Sequence, residues 1–150
     1  MYNLNMSDPN ERPRVILVNR CFVLEDKKIL LIKRASSDSH APDLWECPGG
    51  KLDQGQDLSR AREREVMEET GLLVNLTHPL VYADSYIISE GKYVGMPYIC
   101  LFGIAKSEGG KLKLSFEHSD YAWVTYDEAM SYEITPETRK ALIVLKNYLE

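Results

Sequence analysis

The sequence predicts an α+β domain with a mixed β-sheet between helices, and three observations carry that reading. Branched apolar runs of strand length fill the stretch up to Arg34 and much of the chain after Leu72. A charge-rich segment from Asp57 to Thr70 without Gly or Pro interrupts them, and a segment with helical apolar spacing follows at the C-terminal side. Strands, helix, strands, helix is the order of an α+β domain. At 150 residues the chain suffices for one domain with its own core and is short for two.

Taken in order, residues 1–12, "MYNLNMSDPNER", are polar and lack the charged-then-apolar pattern of a secretory signal; a mobile tail is expected there, with a single domain over 13–150. "RVILVNRCFVLE" and "KILLIKRA" flank the polar turn "EDKK" and read as a hairpin. "SSDSHAPDLWECPGG" reads as a loop that ends in a tight glycine turn. Asp57 is a fitting N-cap and Gly71 a natural stop for the helix between them. "LLVNLTHPLVYADSYIIS" and "KYVGMPYICLFGIAK" read as two longer strands joined near "EGK". "SEGG" is expected to turn the chain, with "KLKLS" and "YAWVTY" as further strands. In "TPETRKALIVLKNYLE", Thr135 precedes Pro136 at the first helical position, and Ala141, Leu142, Leu145 and Leu149 share one face, which predicts an amphipathic helix packed on the sheet.

Composition narrows the function. Apolar residues at 44% and charged residues at 27% describe a folded domain. The net charge is -5 and the 18 Lys and Arg are scattered, so no DNA-binding patch is expected. The apolar runs break well before the roughly 20 residues a bilayer requires, so no membrane span is expected. Cys21, Cys47 and Cys100 are widely spaced among apolar neighbours, which suits buried free thiols in a reducing cytoplasm.

Glu65, Glu68 and Glu69 project to one side of the predicted helix, because residues three and four apart share a face. Like charges placed so repel, and Arg60, Arg62 and Arg64 would offset this if the face is simply solvated. A divalent cation reverses the sign instead. Carboxylates suit Mg²⁺ or Mn²⁺, and Mg²⁺ commonly leaves positions for water and substrate phosphates.

The flanking pattern is more specific. Five residues separate Gly50 from Gln56, seven separate Gln56 from Arg64, and "REVMEETGL" follows without interruption. From Gly50 to Leu72 the chain resembles the Nudix box of the MutT-like Nudix hydrolases, departing at one fixed position where Gln56 replaces a glutamate. The hairpin, "LWECPGGKL" and "FEHSDYAWV" also look like their counterparts in that family. The resemblance implies the Nudix fold, an α/β/α sandwich, and Mg²⁺-dependent hydrolysis of a nucleoside diphosphate linked to another group, with Mn²⁺ as an alternative cation. It implies Glu68 and Glu69 as main metal ligands, Glu65 as a further ligand or the base, the Gly49 carbonyl as a ligand, and Arg64 as the residue that orients the acids. Glu117 stands where many relatives place one more catalytic, metal-binding glutamate, so the choice of base between Glu65 and Glu117 stays open. Gln56 keeps the length and the carbonyl acceptor of the glutamate it replaces, and a working site with altered metal affinity or rate is expected.

For the substrate, Ser39, Asp43 and Cys47 depart from the coenzyme A motif of the family. Ile87 stands where ADP-ribose hydrolases of the family often carry proline. Ile88, Ser89 and Glu90 stand where dinucleoside polyphosphate hydrolases often carry tyrosine, with Tyr86 nearby. The group acting on nucleoside triphosphates, releasing monophosphate and pyrophosphate, remains; hydrolysis of ADP-ribose, dinucleoside polyphosphates or an RNA 5′ end, and a non-catalytic nucleotide sensor, are its rivals. Trp45, Tyr82, Tyr86, Tyr93 and Tyr98 are candidates for stacking on a base, and Lys33 or Arg34 for meeting a phosphate, with strand alternation allowing one of the two. The expected partner is a small-molecule nucleotide, the expected compartment cytoplasmic, and relatives are frequently homodimers.

Overall fold

The computed structural model describes residue 10 and residues 14–149, so the tail expected over 1–12 lies, Asn10 apart, outside the described residues. The elements run β1 (Ile16–Glu25), β2 (Lys28–Arg34), β3 (Trp45–Glu46), β4 (Gly49–Lys51), α1 (Leu58–Thr70), β5 (Leu72–Ile87), β6 (Pro97–Gly110), β7 (His118–Val124), α2 (Tyr126–Ser131) and α3 (Pro136–Leu145), with a 3-10 turn over Lys146–Tyr148. Among the described residues no helix is long and apolar enough to cross a membrane.

The expected hairpin forms. Asp26 and Lys27 both take positive φ, 48° and 63°, the mirror-image turn whose twist matches two right-twisted strands. Pairing between β1 and β2 then lasts only from Leu24–Ile29 to Glu25–Lys28. Beyond it the strands part company. Arg20 through Val18 of β1 pair with β4, Ile16 through Leu24 run parallel to β6, and β2 pairs with β3 and β7. The result is one mixed sheet whose main path is β3-β2-β1-β6-β5.

Strand alternation sends β1 side chains to both faces. Val18 and Phe22 join Phe102, Leu142 and Leu145 on the α3 side. Cys21 and Val23 join Leu30, Ile32, Val66 and Leu72 on the α1 side. Each fully buried side chain of this size contributes about 1.5–3 kcal/mol over its exposed state, so the two apolar layers hold the helices against the sheet. The architecture is therefore the expected α/β/α sandwich. All three cysteines are free and buried.

Four local expectations change. Gly49 and Gly50 do not turn the chain but form β4. Their glycines serve close approach, since a Cβ on Gly49 would lie 2.2 Å from the Asn19 carbonyl oxygen. "SEGG" ends β6 rather than forming a separate turn, and residues 111–115 are not a strand. Their backbone instead caps α1, with Lys113 N–H donating to Thr70 O at 2.9 Å and Ser115 N–H to Glu69 O at 3.2 Å, while Leu112 and Leu114 pack on the α1-side core. Finally, α2 was not anticipated, although Thr125 and Glu128 form its capping pair.

Candidate active site

Where β1 and β2 separate, β3 and β4 fill the gap. Cys21 N–H donates to Pro48 O at 2.9 Å, and Arg20, buried, donates from Nη1 to Cys47 O at 3.1 Å. The same guanidinium pairs with Glu46 at 3.1 Å. Arg34 Nη1 reaches both Glu46 oxygens at 3.0 Å and His118 Nε2 lies 3.2 Å from Oε2. Burial alone would raise the Glu46 carboxyl, but Arg20, the His118 hydrogen bond and Arg34 outweigh it and hold the group at about 2. Arg34 in turn is tied to Asp38 at 2.7 Å and to the His40 carbonyl.

Helix α1 delivers the acids. Asp57 accepts from Arg60 N–H at 3.0 Å at its start, and Gly71 with φ 74° ends it. Its buried face carries Ala61, Arg62, Val66, Glu69 and Thr70. Glu69, 5% exposed, accepts from Gly49 N–H at 3.1 Å. Burial pushes its carboxyl up to about 8 against the pull of Gly49 and Arg20. Glu65, half-buried, sits against Gly50, where a Cβ would come within 2.9 Å of the carboxylate. Burial, and next the neighbouring Glu68, raise its pKa. Arg64 stands between Glu65 and Glu68 at 3.5 Å from each, with the Glu68 side chain 55% exposed. Across the gap from α1, Glu117 and His118 bring ligand atoms within 4.8 Å of each other and of a Glu69 oxygen.

Glu69 is thus a buried carboxylate with one backbone donor, beside further acids, and its unfavourable charge is what a bound cation would relieve. The oxygen-rich donor set suits a hard divalent ion.

These groups line a cleft of about 770 Å³. The β1 registers orient it: Arg20 faces Gly49, and Ile16 faces Tyr98. The acids therefore stand at one end and an aromatic wall at the other. There Tyr86 and Tyr98 stack at 4.7 Å and 19°, and Lys51 lies over the Tyr93 ring at 5.6 Å. Arg34, Gly49, Glu65, Glu69, Tyr86, Tyr93, Tyr98 and Glu117 all line the cleft.

Other expected residues do not. Trp45 packs edge-on against Tyr132 at 5.0 Å, within the α3-side core, because the alternation that aims Glu46 at the cleft aims Trp45 away. Tyr82 meets Phe102 in the same core. Lys33 is the residue of its pair that the pleat turns from the cleft, and Arg34 the one that lines it. Arg64 and Glu68 stand on the outer side of the acids and are not among the described lining residues. Arg62 is buried, donates to the Pro79 carbonyl, and leaves Nε and Nη2 without partners among the described residues rather than pairing with an acid.

Gln56 has a local partner: its Oε1 accepts from Asp53 N–H at 2.9 Å in the turn before α1. Arg20, Glu46 and His118 were not singled out from the sequence. The polar pair Asn19–Arg20 inside "VILVNRCFVL" was the available signal, since a charge within an apolar strand requires a partner.

A family model for the NUDIX domain matches residues 16–145. The chain is 29% identical over 125 residues to a protein named nucleoside triphosphatase NudI from Escherichia coli O139:H28, covering 80% of this chain and 89% of that one. A MutT NUDIX hydrolase structure from Burkholderia pseudomallei superposes with TM-score 0.75 at 26% identity, covering 90% of this chain and 99% of that one. A C. elegans Ap4A hydrolase binary complex shares the fold with TM-score 0.70 at 24% identity, over 90% and 98% of the two chains.

Proposed function

Because this chain belongs to the Nudix family and is a Nudix pyrophosphohydrolase, we propose that it hydrolyses a nucleoside triphosphate to nucleoside monophosphate and pyrophosphate. The observation that carries the reading is the two-ended cleft, with carboxylates gathered on Gly49 and Gly50 at one end and the Tyr86–Tyr98 stack at the other. Similarity to a protein named nucleoside triphosphatase supports the choice among diphosphates.

In this mechanism Glu69, Glu117 and the Gly49 carbonyl would hold Mg²⁺, or Mn²⁺ in its place, with Glu68 reaching the cation from the outer side of α1. When bound, the cation neutralises diphosphate oxygens and lowers the pKa of the attacking water. Arg64 orients Glu65 and Glu68 through its two ion pairs. Glu65 is the base: burial and the neighbouring Glu68 raise its proton affinity above that of an ordinary carboxylate, which suits a group that takes a proton. Water attacks a phosphorus of the α–β bridge, Glu65 accepts its proton, and the bond from that phosphorus to the bridging oxygen breaks, so that monophosphate and pyrophosphate separate. Arg34, fixed by Glu46 and Asp38 and lining the cleft, would meet a phosphate of the substrate, and the exposed ring of Tyr86 would stack on the base. The enzyme acts in the cytoplasm, where its three free thiols stay reduced.

Product analysis with canonical and oxidised nucleoside triphosphates, ADP-ribose and a dinucleoside tetraphosphate, each with Mg²⁺ and then Mn²⁺, tests this. Monophosphate plus pyrophosphate from one or more triphosphates is expected. Turnover confined to ADP-ribose or the dinucleotide overturns the substrate assignment.

A further inference from the structure

His118 opens β7 and is 6% exposed, yet its Nδ1 has no hydrogen-bond partner among the described residues. Its other nitrogen is committed: Nε2 lies 3.2 Å from Glu46 Oε2. Arg20 and Arg34 hold Glu46 as a carboxylate, and a carboxylate only accepts, so Nε2 carries the hydrogen. In the neutral ring, Nδ1 is then a bare lone pair in a buried place, a costly arrangement unless something takes it. A ring nitrogen of His118 lies within 4.8 Å of one carboxylate oxygen each from Glu69 and Glu117, and Nδ1 is the one left to coordinate.

We propose that His118 Nδ1 is a nitrogen ligand of the cation held by Glu69 and Glu117, with Glu46 as the carboxylate that fixes its tautomer and ring orientation. The proposal rests on the cation-dependent reading of the cleft and adds a ligand that reading does not contain. Glu46, Arg20 and Arg34 then form a support behind the ligand: a carboxylate on the distal imidazole nitrogen is the usual means of orienting a coordinating histidine. It also carries a selectivity consequence. Imidazole favours later first-row ions, whereas Mg²⁺ prefers oxygen, so a mixed nitrogen and oxygen site should bind Co²⁺ or Ni²⁺ well relative to Mg²⁺.

The test is pulsed electron paramagnetic resonance on the full chain loaded with Mn²⁺, with calorimetric titration of Co²⁺ and Mg²⁺ alongside. A ¹⁴N coupling is expected in the wild type, lost in His118→Asn. In that variant Co²⁺ affinity should fall by about tenfold or more, the scale seen for a disturbed ligand shell, and Mg²⁺ affinity by less. Should His118→Asn fail to fold, wild-type protein grown on ¹⁵N-histidine, alone and with His40→Gln and His78→Gln, assigns the coupling without touching His118. Bound Mn²⁺ with no nitrogen coupling overturns the proposal and leaves the hydrolase reading standing. No Mn²⁺ binding at all overturns both.

Discussion

The Glu69 carboxylate accepts the Gly49 backbone N–H at 3.1 Å and so ties the buried face of α1 to β4. With its pKa pushed up to about 8, Glu69 holds a proton in the folded state that it would lose when unfolded at the same pH. Stability from this group is therefore full below the ordinary carboxylate range and is lost as pH rises toward 8. Metal-free Glu69→Gln should be more stable than wild type at pH 8, on the order of 2 kcal/mol, with the gap closing near pH 4. Urea titrations in chelator at both pH values measure it, and Mn²⁺ should stabilise only the wild type.

Glu68 and Glu65 differ in the opposite way: they should matter to rate and little to fold. Glu68 is mostly exposed, so Glu68→Gln should leave stability within about 0.5 kcal/mol and lower kcat by orders of magnitude. Glu65→Gln should lower kcat by about 10²–10⁴. Retained Mg²⁺-dependent activity in Glu68→Gln would remove it from the site.

Glu46 is the residue whose loss should be felt throughout the gap between β1 and β2. Glu46→Ala strands the buried Arg20 guanidinium, a change that costs about 3–5 kcal/mol. Since the carboxyl is held at about 2, its contribution is present above the ordinary carboxylate range and lost as pH falls through that value. Denaturation midpoints for wild type and variant should approach each other between pH 5 and pH 2, in buffers chosen by the sign of that shift.

At Gln56 the bond to Asp53 N–H needs only an oxygen. Gln56→Glu should therefore match wild-type stability, whereas Gln56→Leu should lose about 1 kcal/mol. The added charge of Gln56→Glu should move the Mg²⁺ titration of activity to lower concentration. Identical titrations would leave the substitution without functional meaning.

Arg62 carries a buried charge with two nitrogens unpaired among the described residues, and burial lowers its pKa. Arg62→Met fills similar length without the charge and should raise stability by about 1 kcal/mol or more. Thermal unfolding measures the change; a fall would mean that the bond to the Pro79 carbonyl outweighs desolvation.

What the chain disclosed in advance was what depends on local chemistry. Asp57 and Gly71 bound α1 because capping is decided within one turn, and the branched runs form β1, β2, β5 and β6 because each buries alternate residues. Spacing placed the α1 glutamates on a shared helix face, the resemblance to the Nudix box gave them a role, and the sheet around them decides that Glu65 and Glu69 line the cleft while Glu68 does not. Glu46 and His118 were not: they are 72 residues apart and meet only because β2 takes β3 on one side and β7 on the other. Trp45 could be no more than a candidate for the same reason, since which face of a two-residue strand meets the core is set by its neighbours.

The parallel pairing of β1 with β6 joins residues more than half the chain apart, from Ile16–Tyr98 to Leu24–Lys106. Such contacts close late, because the loop between them must be ordered before they return any energy. Arg20, Gly49 and the Tyr98 wall face one another only once that closure is made. Refolding should thus restore catalysis in a single late step, with no partly active intermediate, and activity can serve as a clock for the last event of folding.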